Sequence, residues 1–145
     1  MYLEGISNGI EVGTVVTERT QIGTIMKYFG VENIYNLIND YSNLERQKKE
    51  WLGLVPNIVS SYDEMIMMLF DDNDFDDFIL QWEKNGFDNR TLKEMILFKD
   101  MLMAYNSQFS HQNNKYFDKA ILKDPNWAEV TDQAKKVIDV WKYEQ

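Results

Sequence analysis

The segment Asn89-Arg90-Thr91-Leu92-Lys93-Glu94-Met95-Ile96-Leu97-Phe98-Lys99-Asp100-Met101-Leu102-Met103-Ala104-Tyr105-Asn106-Ser107-Gln108-Phe109 carries one dominant period. Met95, Phe98, Leu102, Tyr105 and Phe109 step by three, four, three and four, the repeat that lines one face of an α-helix. Neither glycine nor proline interrupts the run, and Asn89 offers a side-chain oxygen to cap its start. Ile96, Leu97, Met101 and Met103 make the other faces apolar too, which predicts a helix at the centre of the fold.

Toward the C-terminus, Ser110 to Asn114 is polar and reads as a loop. Helical signals return over Tyr116 to Leu122, and Asp124-Pro125 opens a last helix with proline at its first position. That helix carries Trp127, Val130, Ala134, Val137, Ile138 and Trp141. Toward the N-terminus, Asn85-Gly86 ends a helix bearing Phe78, Ile79 and Trp82. Ser61 stands three before Glu64, in capping-box spacing, and opens a helix through Met65-Ile66-Met67-Met68-Leu69-Phe70. This segment is apolar all round, so it is expected to be deeply buried or covered by a partner. Ser42 and Glu45 repeat the capping spacing ahead of a charged helix ending near Trp51 and Leu52, with Gly53 and Pro56 as stops. Ile34, Leu37, Ile38 and Tyr41 mark another helix, and Ile22, Ile25, Met26 and Phe29 one more, closed by Gly30.

Residues 1–18 differ. Ile10, Val12, Thr14 and Val16 alternate with their neighbours, and Asn8-Gly9 suits a tight turn, so a short β-hairpin is expected there. The reading is a mainly α, single-domain bundle over 1–145, with about seven helices across 20–143 and an N-terminal hairpin.

The chain has 145 residues, of which 24 are acidic and 15 basic, for a net charge of −9. One core fits this length. With no cysteine, disulfide frameworks, zinc fingers and thiol nucleophiles are excluded. The net charge disfavours direct binding to nucleic acid and to anionic membranes. The start shows no basic stretch followed by an apolar one, and no run approaches ~18 apolar residues, so a cytoplasmic protein is expected.

The charge is uneven. Residues 61–83 hold eight acids and no base, and so carry nearly all of the excess. They are Asp63, Glu64, Asp71, Asp72, Asp74, Asp76, Asp77 and Glu83. One or two aspartates satisfy a helix N-terminus, each worth ~0.3–1 kcal/mol. Five between Asp71 and Asp77 exceed what one helix start uses. The surplus reads as a solvated acidic loop or as a surface for a basic partner. The second reading places the partner-binding residues at Asp71, Asp72, Asp74, Phe75, Asp76, Asp77, Phe78, Trp82 and Glu83, with the aromatics as anchors. Six of the eight methionines, adaptable contact residues, lie between Met65 and Met103.

A third reading is metal. Asp72, Asp74, Asp76, Ile79 and Glu83 match positions one, three, five, eight and twelve of an EF-hand loop, which this run resembles. Asp77 stands where the loop needs glycine, and Leu80 offers no side-chain oxygen. Catalytic signatures are missing. His111 is the single histidine and sits in a polar stretch. No phosphate-binding glycine pattern and no nucleophile elbow occurs. The expectation is therefore a non-enzymatic inhibitor of a basic, nucleic-acid-processing protein, of the size and acidity seen in immunity and phage anti-defence proteins, without a cofactor. The alternatives are a carboxylate-based divalent-metal protein or magnesium-dependent hydrolase, and a structural or assembly subunit.

Overall fold

The computed structural model describes residues 30–109 and 115–141. The hairpin expected over 1–18, the helix expected over 20–29 and the loop with His111 lie outside them. The chain divides into two units, 1–31 and 32–145. Nearly all described residues belong to the second.

Seven α-helices and no strand make up the described residues. They are α1 (Val31–Tyr41), α2 (Leu44–Trp51), α3 (Tyr62–Met67), α4 (Phe75–Lys84), α5 (Asn89–Asn106), α6 (Lys115–Leu122) and α7 (Pro125–Val140). A π-helical turn, Met68–Asp72, continues α3. The mainly α reading holds. Gly53 and Gly86 follow α2 and α4 at φ +74° and +68°, the left-handed stop that glycine takes without a Cβ clash.

Caps fall close to their expected places. Ser61 accepts from the Glu64 amide at 3.0 Å, and Asp124 caps α7 with Pro125 behind it. Two shift by one residue. Asn43, not Ser42, caps α2, because the Ser42 hydroxyl donates instead to the Asn39 carbonyl. Asp88, not Asn89, caps α5, and its second oxygen takes the Thr91 hydroxyl. The last helix stops at Val140, short of 143, because Trp141 turns to extended backbone.

The core sits between α5 and α7, which run antiparallel and form the most extensive helix pair. The Gln133 amide donates to the carbonyl of Glu94 at 3.0 Å and to its carboxylate at 2.8 Å. The Tyr105 hydroxyl donates to Asp124 at 2.8 Å, which ties the α7 cap to α5. Trp127 is the hub. It is fully buried, its ring lies 5.3–6.1 Å from those of Tyr41, Trp51, Tyr62 and Tyr105, and its Nε1 donates to Gln47 Oε1 at 2.9 Å. Gln47 is itself buried, and its amide donates to the carbonyls of Asp40 and Tyr41. A polar side chain is tolerated here because every one of these bonds is made.

Contrary to the sequence expectation, α5 is not enclosed. Met95, Phe98, Leu102 and Tyr105 are buried, whereas Ile96, Leu97 and Met103 reach solvent on the opposite face. The α3 segment is likewise one-sided: Tyr62, Met65 and Leu69 are buried and Met67 is exposed.

Asp118 of α6 supplies a long-range cap, accepting from the Tyr62 amide at 3.3 Å. Burial raises its pKa above the ordinary carboxylate value, the Tyr62 hydrogen bond opposes that rise, and Asp63 adds to it. A carboxyl held this way binds its proton more tightly folded than unfolded. It favours folding at acid pH and opposes it as pH rises through that window. Asp118→Asn keeps an acceptor for Tyr62 and removes the buried charge. Thermal melts are expected to show the variant more stable than wild type at about pH 7, with the gap gone at about pH 3. A lower melting temperature at neutral pH would contradict this.

Candidate functional site

The acidic segment begins inside a helix and ends inside the next. The π turn carries Asp71 and Asp72 into solvent. The Asn73 side chain closes this turn by donating to the Met68 carbonyl at 2.6 Å. Asp74 then adopts φ +46°, ψ 65°, a left-handed conformation that aspartate visits more readily than most residues. Its carboxylate accepts from the Asp77 amide at 3.2 Å and starts α4. Asp76 and Asp77 fall in the first turn of α4, where the helix dipole favours carboxylates. Glu83 lies two turns along, also exposed.

Of the expected partner-binding set, the acids Asp71, Asp72, Asp74, Asp76, Asp77 and Glu83 are exposed. The aromatics are not. Phe75, Phe78 and Trp82 point into the core, 0%, 4% and 4% exposed. Phe75 packs on Phe98 with ring centroids 6.1 Å apart. Phe78 and Trp82 surround Trp141, with centroids at 6.0 and 5.2 Å. Trp82 Nε1 also donates to the Asp88 carbonyl at 3.0 Å. The physical reason is periodicity: residues 75, 78, 79 and 82 form one helical face, and that face holds α4 to the core. These three are corrected from anchors to core.

The carboxylates of the calcium reading are spread over the π turn and α4. Among the described residues, no three acidic or histidine side chains gather around a point suited to a metal. Asp72 ends the π turn and Asp76 already lies in α4, so only Asn73 and Asp74 stand between helices. A twelve-residue calcium loop has no room there.

The acids have little basic company. Lys99 of α5 reaches Asp76 at 2.6 Å, a half-exposed pair worth ~0–1 kcal/mol. The opposing face of α4 adds Leu80, which is 61% exposed and sits between Asp76 and Glu83 on the helix surface. Sequence reasoning overlooked Leu80, although it falls off the stripe formed by Phe75, Phe78, Ile79 and Trp82. The site is an acidic helix edge with one exposed leucine, Leu80. It offers hydrogen-bond acceptors and concentrated negative charge.

No protein-family model, curated protein or solved structure matches the chain. Among the described residues no helix is long and apolar enough to cross a membrane.

Proposed function

We propose that this protein binds and inhibits a basic, nucleic-acid-processing protein, docking through the acidic edge formed by the π turn and α4. The single observation that carries the reading is eight acids without a base over residues 61–83. Their core-facing neighbours fix the edge in place: Leu69 and Phe75 are fully buried on either side of the exposed aspartates. A rigid row of carboxylates imitates the charge of a phosphate strand. It raises the encounter rate with a groove lined by lysine and arginine, by ~10–1000-fold in steered associations. Occupying that groove excludes nucleic acid by charge and by bulk. The mode of action is steric and electrostatic, as in immunity or phage anti-defence proteins, and its place is the cytoplasm.

The test is capture at low salt from cells in which the gene is native. The retained protein is expected to be basic and to act on nucleic acid, and added DNA or RNA should release it. Retention of acidic proteins, or retention that nucleic acid does not compete, would contradict the proposal.

A further inference from the structure

We infer that Asn85-Gly86, in the turn between α4 and α5, is a site of spontaneous deamidation that the C-cap of α4 holds shut, so that opening of this turn is recorded as a new carboxylate at residue 85. The inference is independent of the proposed function. Asparagine is among the chemically labile side chains. Its amide is lost most readily where the next residue is glycine, because no side chain then hinders attack by the following backbone nitrogen. Among the described residues, Asn85 alone precedes glycine. It is exposed, and nothing lies within 4 Å of where a Cβ would stand on Gly86. Water and hydroxide therefore have access to the turn.

The step is intramolecular. Hydroxide takes the Gly86 amide proton, the nitrogen attacks Cγ of Asn85, and an N–C bond forms as the Cγ–Nδ2 bond breaks and ammonia leaves. Water then opens the cyclic imide at either carbonyl. One opening leaves aspartate. The other leaves an isoaspartyl link, which runs the backbone through the side chain. The net change consumes water and releases ammonia, with no oxidation or reduction.

The folded turn blocks this step at both reacting groups. Nδ2 of Asn85 donates to the Gln81 carbonyl at 2.7 Å, which draws the side chain back along α4 and away from Gly86. The Gly86 N–H donates to the Glu83 carbonyl at 3.1 Å, and a hydrogen-bonded amide yields its proton to base only when the structure opens. Phe87 locks the arrangement. It is buried, its ring centroid lies 5.4 Å from that of Trp82, and its N–H donates to the Trp82 carbonyl at 3.2 Å. Modification works against the same cap. A carboxylate at 85 has no donor for Gln81, and it stands at the negative end of the α4 dipole with Glu83 and Asp88 near it in sequence. An isoaspartyl link inserts an extra backbone atom ahead of Phe87 and shifts the register of the turn. A turn modified once therefore opens more readily.

The test incubates the full chain in warm, mildly alkaline buffer, folded and in urea. Trypsin cuts after Lys84 and Arg90, so Asn85 leaves on one short peptide. Mass spectrometry reads the lost amide, and chromatography separates the aspartyl and isoaspartyl products. In urea Asn85 is expected to react at a rate similar to that of Asn8, which also precedes glycine. In the folded protein Asn85 should react at least ~10-fold more slowly than in urea, and Phe87→Ala, its fold checked by circular dichroism, should speed that reaction ~10-fold or more. Exchange of the Gly86 amide proton, followed by NMR, should accelerate by the same factor. An Asn85 that stays intact in urea while Asn8 reacts would overturn the site. Equal rates for Asn85 folded and in urea, or a Phe87→Ala rate equal to that of wild type, would overturn the gating. Where Phe87→Ala does not fold, wild type in urea below its unfolding transition takes its place. Deamidation that rises in step with Gly86 exchange then supports the inference, and deamidation that rises only with global unfolding overturns it.

Discussion

Trp127→Ala is expected to bring the protein to the edge of unfolding at room temperature. Trp127 is fully buried and its ring meets those of four other aromatics, one each on α1, α2, α3 and α5. Truncating a core tryptophan costs ~3–5 kcal/mol through lost transfer energy and the cavity left behind. The same change strands Gln47 Oε1, whose partner is the indole N–H at 2.9 Å, at a further ~1–3 kcal/mol. Domains have only ~5–15 kcal/mol in total. Trp127→Phe separates the two contributions: it keeps an aromatic ring and loses the hydrogen bond, so most of the cavity penalty disappears. Urea denaturation followed by circular dichroism reads both variants. An alanine variant within ~1 kcal/mol of wild type would show that the hub does not carry the fold.

The second large effect is electrostatic. Replacing Asp71, Asp72, Asp74, Asp76 and Asp77 with asparagine changes the net charge from −9 to −4. The fold should survive. Asparagine at 74 still caps α4 and tolerates the left-handed backbone, and the lost Asp76–Lys99 pair contributes ~0–1 kcal/mol. Association with a basic partner is expected to slow ~10–100-fold at ~50 mM salt, with dissociation changing less. Near 1 M salt, where the screening length falls to ~3 Å, the difference should largely vanish. Stopped-flow association at several salt concentrations measures this. A rate indifferent to both the substitutions and the salt would remove the acidic edge from recognition.

The described helices were legible in the sequence because the stripes are regular and the stops are strong. Gly53 and Gly86 end helices where the pattern says, and Ser61 and Asp124 begin them. Two caps slipped by one residue because adjacent polar residues compete for the same amide. Asp88 outcompetes Asn89 by also taking the Thr91 hydroxyl, a contact that no spacing rule contains. The acidic cluster and its exposure were equally readable. The anchors were not, because an aromatic beside a charge run has two fates, and only its helical phase distinguishes them. Phe75, Phe78 and Trp82 share the inward phase of α4, while Leu80 takes the outward one. The four apolar residues on the far side of α5 misled in the opposite direction. They predicted enclosure, yet α5 is covered on one side and presents Ile96, Leu97 and Met103 to solvent. Apolar content alone does not say whether the cover belongs to the same chain. The π turn at Met68–Asp72 has no sequence signature.

On the proposed function, the acidic edge disables a nucleic-acid-processing protein by occupying its basic groove. The most direct test is the rate at which the captured partner processes nucleic acid, titrated with wild-type protein and with the five-asparagine variant at low salt. Full inhibition by wild type near equal stoichiometry and little by the variant is expected, with excess nucleic acid restoring the rate. Inhibition that is equal for both proteins, or absent for both, would contradict it.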